Sequence, residues 1–258
     1  MKLVRFADPN SSNPTWGELE AETVHAISFS GAEMKSWTRT GQSFATSSVR
    51  MLVPANPSKI VCVGRNYAAH AAELGNEVLK EPGLFLKAPN TLTTTGETVP
   101  YPNFSESFHF EGELGLVISK RASKISRDRA LEHILGYTCA LDLTARDKQK
   151  TDLQWFRAKS SDKFLPFGPH LETEIADVAN VRVQTRVNGA TRQDGSTALM
   201  LFPVATVLEY VSQFMTLEPG DVVITGTPEG VGALAVGDQI EVEVSGIGIL
   251  RANIGIRA

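Results

Sequence analysis

Short apolar runs punctuated by glycine and proline dominate this chain, and long helical patterns are few. Residues 2–6, 15–20 and 23–29 read as short strands separated by Asn10-Ser11-Ser12-Asn13-Pro14 and other polar stretches. They are too little for an independent core, so residues 1–54 read as a small β appendage to a main domain over residues 55–258. Pro54 and Pro57 mark the boundary, just before a strand at 59–63. Further strands are expected at 113–118, 181–187, 222–225 and 239–244. Asn188-Gly189, directly after one of them, is a type I′ hairpin signal. Pro219-Gly220-Asp221 and Gly237-Asp238 are turns that each deliver a strand. Helices are expected at 67–74, 127–133 and 203–213. The fold class is mixed α/β, mostly β, with a few short helices rather than regular βαβ units.

One strand carries a contradiction. His109-Phe110-Glu111-Gly112-Glu113-Leu114-Gly115-Leu116-Val117-Ile118 ends as a core strand, yet Glu111 and Glu113, two apart, point to the same face. Like charges repel at that spacing, and burial raises the penalty. A divalent cation resolves it, with Asp142, which interrupts the apolar run 137–143, as third ligand. All three donors are hard oxygens with no histidine or cysteine cluster beside them, which favours Mg²⁺ or Mn²⁺ over Ca²⁺ and argues against zinc. The alternative is that Glu113 pairs with a lysine and Glu111 faces solvent.

Other clusters carry chemistry less specifically. Gly64-Arg65-Asn66-Tyr67 leaves a strand and opens a helix, on which His70 and Glu73 are spaced to touch. A carboxylate orienting an imidazole makes a general base, or else a surface pair. Arg65 either binds a substrate carboxylate or caps a charge network. Arg146-Asp147 is as easily a structural ion pair as a substrate clamp, and Lys159 lies in an aromatic, proline-rich stretch that could hold it partly dry near an anion, although a lone lysine is more often solvated. Thr225-Gly226-Thr227-Pro228-Glu229-Gly230-Val231-Gly232 follows a strand as a turn with exposed N–H groups suited to an anion. Neither a dinucleotide fingerprint, a P-loop nor a G-x-S-x-G elbow is present.

Composition narrows the class. At 258 residues, with 25 Lys and Arg against 29 Asp and Glu, the chain has no general basic bias toward nucleic acid or anionic membrane. No apolar stretch is long enough to span a bilayer. Cys62 and Cys139 read as reduced core thiols, and the N-terminus lacks a signal-peptide apolar region, so a cytoplasmic protein is expected.

Taken in order, these residues resemble the fumarylacetoacetate hydrolase family. The matches are Gly64-Arg65-Asn66-Tyr67 with His70 and Glu73, Phe85-Leu86-Lys87, Glu111-Gly112-Glu113-Leu114, Gly136-Tyr137, Asp142 through Asp147, Lys159-Ser160 with Asp162, and Gly168-Pro169. Asn188-Gly189 with Arg192-Gln193, then Pro219 to Asp221, Thr225 to Pro228 and Gly230 to Gly232, complete the series. The resemblance implies a β-roll, a homodimer, and Mg²⁺ or Mn²⁺ at Glu111, Glu113 and Asp142. It implies His70 and Glu73 acting on water from a mobile lid and Lys159 as a catalytic lysine. Arg65, Tyr67, Arg146, Gln149 and Thr227 are the expected substrate contacts. The small acylpyruvase and oxaloacetate decarboxylase group is the nearest in pattern. The expected activity is therefore cleavage of a 2,4-dioxo acid, such as fumarylpyruvate or acetylpyruvate, to pyruvate and a carboxylic acid. Oxaloacetate decarboxylation, and isomerisation or tautomerisation of a 2-oxo (2-hydroxymuconate-type) acid, are alternatives because all three pass through the same enolate. A non-catalytic scaffold is the remote alternative. Leu141 replaces a frequent asparagine and Ser161 a frequent phenylalanine, and the first 50 or so residues are too short for the N-terminal domain of fumarylacetoacetase itself.

Overall fold

The computed structural model describes residues 1–257. Five strands come first: β1 (Lys2–Ala7), β2 (Pro14–Glu20), β3 (Thr23–Phe29), β4 (Trp37–Ala45) and β5 (Arg50–Leu52). β6 (Ile60–Gly64) leads into α1 (Ala68–Glu73), followed by β7 (Gly83–Lys87), β8 (Leu92–Thr93), β9 (Thr98–Tyr101) and β10 (Phe108–Phe110). Next are β11 (Gly112–Ile118), β12 (Ile134–Leu141), β13 (Thr144–Ala145), α2 (Arg146–Thr151), α3 (Phe156–Lys159) and β14 (Leu165–Glu172). The chain closes with β15 (Arg182–Val187), β16 (Ala190–Ser196), α4 (Val204–Ser212), β17 (Val222–Ile224), β18 (Gly232–Ala233), β19 (Gln239–Val244) and β20 (Gly248–Arg257).

A twelve-stranded sheet runs β4-β3-β2-β1-β14-β12-β11-β17-β6-β7, with β5 beside β1 and β8 beside β14. The N-terminal strands join it where β1 pairs antiparallel with β14, Lys2 opposite Glu172. A five-stranded sheet, β16-β15-β19-β20-β9, packs across the main core. β11 is buried along its whole length. Leu114, Leu116 and Ile118 face the core shared with β15, β19 and α4, while Val117 meets Cys62, Ala140, Phe167 and Ile224. Burial on both faces explains why β11 reads as a continuous apolar run, and each such Leu or Ile contributes roughly 1.5–3 kcal/mol. Glu111 and Glu113 share the parity of Val117, which sets them on the second of these faces.

The β15–β16 hairpin turns at Asn188 and Gly189, with φ of 52° and 77°, the left-handed pair that a type I′ turn requires. One expected helix differs. Arg127–His133 is a 3₁₀ segment, and its buried residues, Ala130 and His133, lie three apart, matching three residues per turn. No helix among the described residues is long and apolar enough to cross a membrane.

Candidate metal centre and active site

Sheet register assembles the acids. β11 and β12 are antiparallel with Gly112 opposite Leu141 and Glu113 opposite Ala140. One step further along the same register Asp142 stands opposite Glu111, and its N–H donates to the Glu111 carbonyl at 2.8 Å. One carboxylate oxygen from each of Glu111, Glu113 and Asp142 then lies within 4.8 Å of the others, all three residues being buried. Gly112 between the glutamates is sterically required, because a Cβ there would fall 2.0 Å from Thr185 Oγ1.

Three cations meet this cluster. Lys159 Nζ donates to Glu111 Oε2 at 2.7 Å and to Asp142 Oδ2 at 2.5 Å. Lys87 Nζ donates to Asp142 Oδ1 at 2.6 Å and to the Leu143 carbonyl at 3.3 Å. Arg146 pairs with Glu111 and also donates to Gln149 Oε1 at 2.6 Å. Glu113 has no lysine: among the described residues its one hydrogen bond comes from the Gly226 N–H, at 2.7 Å. This reverses the expected alternative, since Glu111 is the acid that takes a lysine. Burial opposes ionisation of Glu111, but Lys159, Arg146 and His70 outweigh it and hold its pKa well below the usual range. Burial, then the charges of Asp142 and Glu111, push Glu113 well above it. Burial disfavours the Lys159 ammonium, and Asp142 and Glu111 together overcome that, so its pKa is raised.

A cavity of about 430 Å³ opens beside the acids. His70, on α1, lines it with a neutral-leaning ring whose pKa is lowered by burial against the pull of Glu111 and Glu73. Its Nδ1 stands 3.5 Å from Glu73 Oε2, within ion-pair reach but long for a hydrogen bond. The Glu73 oxygens accept instead from the Gly230 N–H at 3.1 and 3.2 Å. The turn after β17 thus holds the protein's own acids, Glu113 through Gly226 and Glu73 through Gly230.

The expected substrate contacts divide. Arg65, Arg146, Gln149, Lys159 and Thr227 line the cavity. The Thr227 hydroxyl donates to the Gly112 carbonyl at 2.8 Å and accepts from Gln193 Nε2 at 2.7 Å, so its proton is committed. Tyr67 does not reach the wall: it precedes α1 in an extended conformation, and its ring is 1% exposed. Arg146 does not pair with Asp147, which accepts from Ser105 Oγ at 2.5 Å and pairs with Lys148. Sequence reasoning gave no role to Lys87, or to Gln193, which ties Gly112 N–H to Thr227 and Pro228. A lysine closing the apolar strand Gly-Leu-Phe-Leu-Lys was the available signal for the first.

A mostly β scaffold that gathers two glutamates and an aspartate at a cavity wall defines a protein able to hold a hard divalent cation. The chain belongs to the fumarylacetoacetate hydrolase family, whose model for the "Fumarylacetoacetate (FAA) hydrolase C-terminal" region matches residues 59–255. Residues 1–54 match a second model, "Rv2993c-like, N-terminal". Protein Rv2993c of Mycobacterium tuberculosis is 41% identical over 257 residues, covering 97% of this chain and 96% of the relative. A mitochondrial oxaloacetate tautomerase of Caenorhabditis elegans is 48% identical over 189 residues, 71% of this chain and 88% of the relative. The solved 5-carboxymethyl-2-hydroxymuconate delta-isomerase of Mycobacterium smegmatis superposes with a TM-score of 0.90 at 37% identity, over 99% of this chain and 100% of that one.

Proposed function

We propose that this protein is a Mg²⁺- or Mn²⁺-dependent enzyme that moves a proton at C3 of a 2-oxo acid, a tautomerase or isomerase. The carrying observation is that three buried carboxylates converge on a cavity that also presents His70. The residues fit the ion: the donors are all hard oxygens, and Glu113 has no cationic partner within hydrogen-bonding distance. Glu111, Glu113 and Asp142 would hold it, and the bound ion would act as template and Lewis acid toward the substrate's carboxylate and 2-oxo oxygen.

The chain's own residues do the rest. Buried His70 keeps a neutral ring able to take a proton from C3 on the way to the enol and to give one back to C3 in reverse, while the 2-oxygen gains or loses its proton to solvent. Glu73, held by Gly230 N–H, steadies that ring. Lys159 and Arg146 set positive charge against the same wall and favour an anionic substrate oxygen there. The relatives named as an oxaloacetate tautomerase and a muconate isomerase support proton transfer as the main chemistry.

A second activity is favoured by the His70–Glu73 pair, whose geometry also suits activation of water. Hydrolysis of the C3–C4 bond of an acylpyruvate would follow, and oxaloacetate decarboxylation would share its enolate. Keto–enol interconversion of oxaloacetate, followed by ultraviolet absorbance with Mg²⁺ present, is measured beside pyruvate release from oxaloacetate, acetylpyruvate and fumarylpyruvate. Interconversion that collapses in His70→Ala and Asp142→Asn, with little pyruvate formed, supports the proposal. Rapid, His70-dependent pyruvate release from an acylpyruvate would make hydrolysis the main activity. Interconversion that survives Asp142→Asn refutes the metal-centred chemistry.

A further inference from the structure

We infer that Gln193 is a positioning residue for the metal centre: its buried amide ties the Gly112 peptide, between Glu111 and Glu113, to the turn that supports Glu113 from the other side. The role rests on the divalent ion proposed above for Glu111, Glu113 and Asp142.

Strand pairing leaves a gap at Gly112. β17 pairs with β11 from Val117 back to Gly115, and the Thr225 N–H still reaches the Leu114 carbonyl at 3.2 Å. Gly112 shares the parity of Leu114, so its N–H and carbonyl turn to the same side, where β17 has already ended. Buried backbone groups need partners, and two side chains stand in for the missing strand. Gln193 Oε1 accepts from the Gly112 N–H at 2.9 Å, and the Thr227 hydroxyl donates to the Gly112 carbonyl at 2.8 Å. Gln193 Nε2 donates to Thr227 Oγ1 at 2.7 Å, which closes a ring, and to the Pro228 carbonyl at 2.8 Å. The amide orientation is fixed, because the Gly112 N–H can only donate and the Pro228 carbonyl can only accept.

Packing holds both ends of this bridge. Gln193 is 1% exposed on β16, the edge strand of the five-stranded sheet, directly across from Thr185, the residue pressed against Gly112. The turn lies on the same strand at contact distance. A Cβ at Gly230 would fall 2.0 Å from the Arg192 carbonyl oxygen, and one at Gly195 would fall 2.6 Å from Pro228 Cβ. That turn supplies the Gly226 N–H to Glu113 and the Gly230 N–H to Glu73. Lys87, Lys159 and Arg146 steady Glu111 and Asp142, whereas Glu113 has no cationic partner among the described residues. The place of Glu113 therefore depends on its own backbone and on Gly226, and Gln193 joins the two. Groups that orient metal-binding carboxylates set affinity along with the carboxylates themselves.

The test is calorimetric titration of Mg²⁺ and of Ca²⁺ into wild type, Gln193→Met, Thr227→Val and Thr227→Ser, with folding checked by circular dichroism. Mg²⁺ demands near-ideal octahedral geometry and Ca²⁺ tolerates irregular sites, so a misplaced Glu113 should penalise Mg²⁺ more. Gln193→Met is expected to bind Mg²⁺ roughly tenfold or more weakly, with a smaller loss for Ca²⁺. Thr227→Val, which opens the ring at another member, should reproduce that shift. Thr227→Ser keeps the hydroxyl and should bind both ions like wild type. Gln193→Met combined with Thr227→Val should cost no more than the worse single change, because both break one ring. Unchanged Mg²⁺ affinity in Gln193→Met, or equal losses for Mg²⁺ and Ca²⁺, overturns the positioning role while leaving the metal centre standing. Should Gln193→Met not fold, Thr227→Val decides by the same two readings. A wild type that binds neither ion overturns the metal centre itself, and this role with it.

Discussion

Lys87→Met isolates the buried electrostatics of the centre. Lys87 and Asp142 side chains have no exposed surface, and their charges meet at 2.6 Å. Burial lowers the pKa of Lys87, and Asp142 pulls the other way. Removing the ammonium leaves the Asp142 carboxylate to Lys159 alone and strips a donor from the Leu143 carbonyl. Breaking one partner of a buried pair costs roughly 3–5 kcal/mol, and because Lys159 remains, about 3 kcal/mol is expected. In a domain of this size that corresponds to a melting temperature lower by roughly 6–12 °C. Urea unfolding in EDTA measures it. Mg²⁺ should then stabilise the variant more than the wild type, because the ion supplies the counter-charge that Asp142 has lost. Adding Asp142→Asn should recover part of the loss, giving a coupling of at least about 1 kcal/mol in the double-mutant cycle. A loss under about 1 kcal/mol in EDTA, or equal Mg²⁺ increments in both proteins, would refute this electrostatic account.

Three further outcomes are expected. The acid limb of kcat/KM should fall below the ordinary histidine value of about 6.5, because burial lowers the His70 pKa and keeps the base form in mildly acidic solution; a limb above pH 7 contradicts that assignment. His170 is pushed down to about 4, by burial first and Lys2 second against the pull of Glu172. Its stabilisation is therefore complete above the unfolded value of about 6.5 and lost as pH falls toward 4, by roughly 2 kcal/mol after discounting for solvent. His170→Phe should flatten the urea-midpoint profile over that interval, and an unchanged slope would remove His170 as the cause. Gly112→Ala, whose Cβ would collide with Thr185 Oγ1, should destabilise by about 1–3 kcal/mol and weaken Mg²⁺ binding by displacing both flanking glutamates; normal ion affinity by calorimetry would show that β15 yields at Thr185 without moving them.

Local pattern and turn chemistry made some elements legible. β3 and β19 fall where alternation and flanking turns put them, and Asn188-Gly189 turns a hairpin. β4 escaped because it is an edge strand, mostly exposed on both faces, with no apolar stripe to betray it. β20, the longest strand, buries Leu250, Ala252 and Ile254 in alternation, but Gly248 and Gly255 disguise the pattern. At Gly255 a Cβ would come within 2.7 Å of Thr98 Cγ2, so the glycine serves close packing against β9 rather than a turn. Strand order was beyond reach: β1 pairs with β14, whose partner residues lie some 170 positions later, and no local propensity encodes that.

The acids were visible for a different reason. Two like charges on one face of an apolar strand conflict with burial, and such a conflict can be seen in a single segment. Its resolution cannot, because the answering charges arrive across the ladder: Asp142 by the β11–β12 register, Lys87 from the edge strand β7, Lys159 from the end of α3. A lone lysine in any of those places reads as solvated, which is why Lys87 passed without a role. Once assembled, the cations gather on Glu111 and Asp142 and leave Glu113 with a single backbone donor. That asymmetry leaves Glu113 as the acid whose charge the protein does not match, and a divalent ion held by all three would complete it.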